Sequence, residues 1–448
     1  MAGKSPKVLK RDIFTKPIGE MLNRSINFVS QNNYFFYFSI FLSVFYLIIR
    51  FIDCIYLFPA NLGDEWYFTN DLNYYMENGY KESVINGMSI PFTLLTYVLN
   101  IILNDISLSL RVVNSTFVFI LILYMYRQIQ GSRNKFIFFY YLFLLIGTTG
   151  GLFYGTNDSM FFCALIIMVF ESCNKIFNQN EKKSYLLLII ASIICISTRP
   201  LAVLYLSLIS LSVFIFKLIF SKEVNNKILI NICSCIILSL LIIFVANYPR
   251  IKNYNFNLSY ANKTDTYKTD DPAFNWTQWH FYSQMKGNKN RLGLFAPMVN
   301  WDEVKEYKNL NNVVTLPKNI FEYLTQHPLF VLRRIPTSII ESLIISLRYV
   351  GILLLLLPYY IYKRFDNNDL DSNMLFALTI MVGIIIWTAI IPHLVEHRWY
   401  FPIYVMLIFI FSKDSNNKQF NQINVFNMAL MNFITLWALF KEKLFYSI

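Results

Sequence analysis

The groups in this chain with chemistry to offer are ionisable residues set at the ends of apolar runs. Gly63-Asp64-Glu65-Trp66-Tyr67-Phe68 places two adjacent carboxylates directly after the first long apolar run. In such a pair one carboxylate can take a proton while its neighbour holds a hydroxyl, a metal or an arginine, and adjacent acids raise one another's pKa, as a general base requires. Ser197-Thr198-Arg199-Pro200 joins two apolar runs in a turn too tight to be a solvated loop. Arginine in that setting suits a phosphate, because its rigid fork presents five N–H donors. Glu396-His397-Arg398-Trp399-Tyr400-Phe401-Pro402 sets a second arginine, with His397 and Tyr400, at the mouth of a later run. Asp158 follows Gly155-Thr156-Asn157, and Arg111 follows Leu110, each at the head of a further run. Charges also gather at helix ends for solvation alone, and Asp71, Glu77 and Lys81 are read that way. Taken singly, Arg199 and Arg398 fit snorkelling to bulk phospholipid as well as they fit a bound phosphate.

The elements that must position these groups are membrane helices. Of 448 residues, 56% are hydrophobic and 15% charged, against about 25% charged in an average soluble chain. Lipid can solvate such a surface; water cannot. Five of the six cysteines (Cys163, Cys173, Cys195, Cys233, Cys235) lie in or at the ends of apolar runs, and Cys54 is near the end of the first. Neither a disulfide framework nor a zinc spacing can be read from them. The formal net charge of +12 is assigned to the positive-inside rule rather than to nucleic acid, which is not expected as a partner.

Residues 1–33 are polar and basic, which places the N-terminus in the cytoplasm. The run Tyr34 to Phe58 is too long for a signal-peptide core and reads as a retained helix. Residues 59–106 form a first outer loop, with an amphipathic stretch from Glu65 to Tyr80 and a short apolar piece, Ile90 to Leu103, read as half-inserted or surface-lying. Further spans fall near 107–126, 136–154, 159–174, 184–198, 201–220 and 228–248, completing a bundle over 34–248. The turns at 127–135, 175–183 and 217–227 are basic and alternate with very short ones at 155–158 and 198–200. Residues 249–335 are the one larger extracytoplasmic segment, and C-terminal spans at 337–362, 374–392, 399–412 and 424–440 fill 336–440. The expected fold is an all-α polytopic bundle of about ten or eleven transmembrane helices. On this topology Asp64, Glu65, Asp71, Arg111, Asp158, Arg199, His393, Glu396, His397 and Arg398 fall in one layer at the outer face.

The order of these elements resembles the GT-C superfamily of membrane glycosyltransferases, in the branch of protein O-mannosyltransferases and the lipid A aminoarabinose transferase. The resemblance is carried by Asp64-Glu65-Trp66-Tyr67 with Gly79-Tyr80, and then by Pro91-Phe92-Thr93-Leu94-Leu95 and Leu110-Arg111. It continues in Thr156-Asn157-Asp158, Thr198-Arg199-Pro200, His327-Pro328-Leu329 and Arg398-Trp399-Tyr400-Phe401-Pro402. It covers 34–220 well and 320–412 loosely, while 249–320 matches no known pattern. Asn157-Asp158 stands where the family pattern is Thr-Asp, which puts the role of Asp158 in question.

The resemblance implies a GT-C-like bundle with outer juxtamembrane helices, in a bacterial inner or plasma membrane, with its active site on the extracytoplasmic face. It implies transfer of a sugar from a polyprenyl-phosphate donor to a hydroxyl of a glycan, lipid or protein, with inversion. Asp64 is then the general base, with Glu65 orienting acceptor or arginine and Asp158 completing the catalytic set. Arg199, Arg398, Tyr400 and His397 would bind the donor phosphate. No cofactor is assigned, and a divalent metal stays open as an alternative. The rival reading is a transporter or flippase of lipid-linked sugars, which calls for ionisable residues through the bilayer depth and for broken helices. Arg50, Asp53, Glu171, Glu341 and Arg348 lie within or near spans and speak for it.

Overall fold

An apolar segment crossing a bilayer has no water for its backbone groups, and helices satisfy them within one segment. The structure, a computed structural model, describes residues 33–60, 64–177, 184–199, 202–220, 226–253, 276–288, 295, 297–310, 316–317, 319–391, 393 and 396–445. Among the described residues every regular element is a helix. The basic stretch 1–32 and much of 254–294 lie outside them. Among the described residues six helices, Asn33–Leu57, Ile106–Gln128, Asp158–Ile176, Asn226–Ala246, Ser372–Ile390 and Lys418–Lys441, are long and apolar enough to cross a membrane. The chain is an all-α polytopic membrane protein.

In chain order the elements are α1 (Asn33–Ile52), α2 (Glu65–Ile85), α3 (Ile90–Leu103), α4 (Ile106–Gln128), α5 (Ser132–Thr149) and α6 (Asp158–Phe177). Then come α7 (Leu186–Thr198), α8 (Ala202–Phe220), α9 (Asn226–Ala246), α10 (Tyr248–Asn253), α11 (Trp276–Asn288) and α12 (Trp301–Leu310). The last are α13 (Ile320–Gln326), α14 (Pro328–Val350), α15 (Leu357–Asp366), α16 (Ser372–Ile390), α17 (Phe401–Lys413) and α18 (Lys418–Phe445). The expectation of about ten or eleven spans counted short helices as crossings in their own right. α7 and α17 have 13 residues each, so each is about 20 Å long, less than the ~30 Å hydrocarbon layer.

Contacts between helix ends sort the bundle into two poles. At one pole Phe36 of α1 packs edge-on against Phe136 of α5, and Asn134 of α5 donates to the Lys413 carbonyl at the end of α17 (3.1 Å). Asn174 of α6 donates there to Gln128 of α4 (3.0 Å), and Arg364 of α15 to Asp414 (3.1 Å). That pole carries Arg127, Arg133, Lys135, Lys175, Lys363, Arg364 and Lys413. The other pole gathers the C-terminal end of α1 and the heads of α2, α4, α6 and α17. Cys54, just past α1, reaches the Gly150 carbonyl there (3.4 Å).

The interior is built around α6 and α17. Residues 401–412 are all buried, and α6 is buried along nearly its whole length. Their N-terminal ends both open at the pole of Asp64. The juxtamembrane pair α2 and α3 lies beside that opening. Phe68 meets Phe92, Tyr75 meets Tyr97, and Met76 meets Asn100, so the first part of α2 runs parallel to α3. The chain can return between them because it reverses at Gly79, whose φ of +75° suits glycine.

α18 is fastened to the bundle by asparagines rather than by apolar packing alone. Asn424 donates to the Phe411 carbonyl (2.8 Å), and Asn432 bonds Ser39 of α1 (2.8 Å) and Tyr140 of α5 (2.9 Å). The span expected at 337–362 is broken at Gly351, where α14 stops before α15 resumes. Asn427 closes the gap, accepting from the Ile352 N–H (2.8 Å) and donating to the Val350 carbonyl (3.1 Å). A Cβ at Gly351 would overlap the Asn427 amide.

The segment 249–335 contributes a small second core of Phe281, Val299, Val304, Leu316, Tyr323 and Val331. It meets the bundle through His280, whose ring lies 5.5 Å from that of His393, and through Glu341 of α14, which is paired with Arg334 and accepts from the Phe295 N–H. Burial, with His393 beside it, holds the His280 pKa well below the ordinary 6.5, and burial lowers His327 as well.

Two outcomes follow. Asn427→Leu keeps the bulk but strands the groups at the break, and should lower stability by about 1–3 kcal/mol, read as a lower melting temperature in detergent. A histidine with a depressed folded pKa contributes stability that is present above pH 6.5 and lost as pH falls below it. α11 should therefore lose hydrogen-exchange protection between pH 7.5 and 5.5, and His280→Phe with His327→Phe should flatten that dependence.

Candidate functional site

The site begins with a bolt almost wholly withdrawn from solvent. Glu65, the first residue of α2, is 1% exposed and Arg111 of α4 is 4% exposed. Their pairing is bidentate, with Arg111 Nε on Glu65 Oε2 at 3.0 Å and Nη2 on Oε1 at 3.1 Å. The remaining donors of Arg111 reach the carbonyls of Ile55, Phe58 and Pro59 at 3.0, 3.1 and 3.2 Å, closing the end of α1. Glu65 also accepts from Ser107 and from the Gly155 N–H (2.9 Å). A Cβ at Gly155 would come within 2.6 Å of Glu65. The glycine is what lets the turn before α6 close onto the carboxylate. Glu65 thus orients an arginine, one of the two roles read for it, and its carboxylate is not open to an acceptor.

Asp64 is the next residue back and faces the other way. Its carboxylate is about a third exposed (36%) and Oδ2 lies 3.0 Å from Arg398 Nη1. The same Nη1 lies 3.2 Å from Oδ2 of Asp158, whose side chain is 3% exposed. Asp158 pairs through its other oxygen with Arg199, and Arg199 Nε donates to Asn157 Oδ1 (2.9 Å). Asn157 in turn donates to the Thr198 carbonyl (3.3 Å) and Ser89 (3.4 Å). Arg398 Nε is held by Glu396. Burial works to lower the Arg398 pKa, but Asp158, Glu396 and Asp64 outweigh it and raise it above the arginine range.

Each member is set by its element. Asp158 caps the first turn of α6, where the positive end of the helix favours a carboxylate. Arg199 is the residue that ends α7, in extended conformation (φ −147°). Arg398 sits on the 3₁₀ turn His397–Tyr400 that leads into α17. That turn is pinned from behind, since Tyr205 of α8 donates to the Trp399 carbonyl (2.9 Å) and Trp387 of α16 stacks on Trp399.

Asp64, Asp158, Arg199 and Arg398 therefore come together from four separated stretches of chain. Tyr400 does not join them. It is 2% exposed and its hydroxyl is 2.8 Å from Ser342 of α14, so it offers no surface to a headgroup. The position expected to be open faces inward because the 3₁₀ turn rotates it away from its neighbour Arg398. The His397 side chain lies outside the described residues. Two members were not assigned roles from sequence: Glu396, whose signal was its place beside Arg398, and Asn157, whose signal was its place before Asp158. No group of three or more His, Cys, Asp or Glu suited to a metal occurs among the described residues. Chemically, the cluster offers a part-exposed carboxylate beside two guanidinium groups.

The bolt and the cluster should separate on mutation. Glu65→Gln leaves the Arg111 charge buried without its partner and should cost about 3–5 kcal/mol of stability. Asp64→Asn at the exposed edge should leave the melting temperature nearly unchanged. Equal shifts for the two variants would remove the distinction drawn here. Compared with protein-family models and with curated proteins, the chain matches none.

Proposed function

We propose that the chain is a GT-C-like glycosyltransferase that moves a sugar from a polyprenyl-phosphate donor to an acceptor hydroxyl on the extracytoplasmic face. The observation that carries this reading is the meeting of Asp64, Asp158, Arg199 and Arg398 at one pole, with Asp64 the most exposed of the four. The leaving group of such a donor is a phosphate, already a weak base, so stabilising its charge matters more than protonating it. Arg398 and Arg199, 29% and 25% exposed at their side chains, are the groups for that task. The acceptor hydroxyl must lose a proton as the new bond forms, and Asp64 takes it. The acceptor oxygen attacks the anomeric carbon, and the carbon–oxygen bond to phosphate breaks with its electrons leaving on the phosphate. A single attack from the opposite face inverts the carbon. Asp158, buried between the two arginines, fixes their spacing.

The assignment of faces draws on the opposite pole, whose Arg127, Arg133, Lys135, Lys175, Lys363 and Arg364 suit the cytoplasm of a bacterial inner membrane. Nucleotide sugars stay in that compartment, so an outer site needs a lipid-borne donor. The transporter reading would use a broken helix as an ion site. The break at Gly351 is filled by Asn427, which takes up both adjoining backbone groups.

In liposomes the purified protein should use a short-chain polyprenyl-phosphate sugar and leave a nucleotide sugar untouched. Asp64→Asn should lower turnover by about two to four orders of magnitude, the usual worth of a general base. Single cysteines introduced at Ser132 and at Trp66 should label from opposite sides of intact cells, Trp66 from outside. Labelling at Ser132 from outside, or transfer from a nucleotide sugar, would sink the proposal.

A further inference from the structure

We infer that the donor phosphate and Asp64 compete for the same guanidinium, that of Arg398, so that donor binding is the event that frees Asp64 to act as base. This rests on the reading of the site given above and adds an order to it: donor first, acceptor second.

The argument starts from the count of donors on Arg398. Its Nη1 is shared by Asp64 (3.0 Å) and Asp158 (3.2 Å), and its Nε is taken by Glu396. Bidentate recognition of a phosphate needs two neighbouring N–H groups of the fork. Any such pair on Arg398 includes either Nη1 or Nε, both of which are held by carboxylates. One of them has to yield.

Burial decides which. Asp158 is 3% exposed at its side chain and is tied on its other oxygen to Arg199, so it stays. Asp64 (36%) and Glu396 (37%) lie at the open edge. Glu396 is two residues from Arg398 on the same turn and moves with it. Asp64 comes from α2, a separate element, and swings clear without disturbing the arginine. Its own backbone is held in place by the Glu65–Arg111 bolt next door, so the side chain moves and the helix does not.

Charge points the same way. Asp64, Asp158 and Glu396 set three carboxylates against the guanidinium groups of Arg199 and Arg398, a surplus of one negative charge. A phosphate entering that field is repelled until a carboxylate leaves. The consequence for catalysis is direct. An aspartate paired with an arginine is a poor base, because the pairing favours its charged form. Released, it regains basicity at the moment the donor is seated. The acceptor oxygen then bonds to the anomeric carbon, the phosphate departs with the bonding electrons to Arg398, and the proton passes to Asp64. With the acceptor alone, Asp64 stays paired and no proton moves.

The test is binding of a sugar-free short-chain polyprenyl phosphate, which cannot react, to the purified full chain in detergent. Asp64→Asn keeps the shape and removes the competitor, so it should bind this probe about tenfold more tightly than the native protein while its transfer activity falls. Asp64→Ala should tighten binding likewise, which guards against a peculiarity of the amide. Asp71→Asn removes the same charge further along α2 and should stay within about twofold of native, which separates competition from a general field effect. Unchanged or weaker binding by both Asp64 variants, in a native protein that binds the probe and transfers the sugar, would overturn the competition and leave the proposed reaction standing. A native protein that neither binds the probe nor transfers from its sugar would overturn both.

Discussion

Much of this architecture depends on one guanidinium almost wholly withdrawn from water. Arg111 spends its donors on Glu65 and on three carbonyls at the end of α1, so the first span, the outer helix α2 and the second span share one fixed point. Gly155 adds the turn before α6 to it. A buried ion pair of this kind contributes little net stability, since desolvation offsets most of the attraction. What it supplies is position. An arginine left with an unpaired charge at this depth is costly enough that alternative arrangements of the four segments are excluded.

That fixed point explains why two adjacent acids have different tasks. Adjacent residues at the start of a helix project in directions about 100° apart, so the two carboxylates of Asp64-Glu65 meet different partners. Glu65 has the longer reach and a buried arginine to meet. Asp64 is left at the part-exposed edge of the cluster, facing Arg398. The pair is better described as a buried bolt and a part-exposed carboxylate than as two equivalent acids.

The helical class, the apolar runs and the gathering of charges at one pole were legible in the sequence because bilayer thickness and charge cost are strong constraints that act locally. Asp64, Asp158, Arg199 and Arg398 could be chosen from their places at the ends of apolar runs and from the order in which those places follow one another along the chain. What stayed hidden were relations between elements. Nothing local distinguishes Glu65 from Asp64 as the buried member, since the partner lies 46 residues away. Tyr400 was placed at the site for its nearness to Arg398, yet the 3₁₀ turn carries it inward to Ser342.

The deeper regularity is that the two most buried helices, α6 and α17, both end at the cluster. Helix N-termini carry partial positive charge, and two of them opening on one spot favour an anion there. Asp158 occupies that field from the α6 side, at the first turn of its own helix. Glu396 and Asp64 answer the α17 side through Arg398. The cluster is thus a place where the fold collects positive potential from the backbone and from two arginines, and covers it with aspartate and glutamate. An arrangement meant only to hold position would bury the cover completely, as the bolt does. Here the cover is buried on one side and part-exposed on the other, so the positive potential is held closed by the carboxylates that an incoming anion could displace.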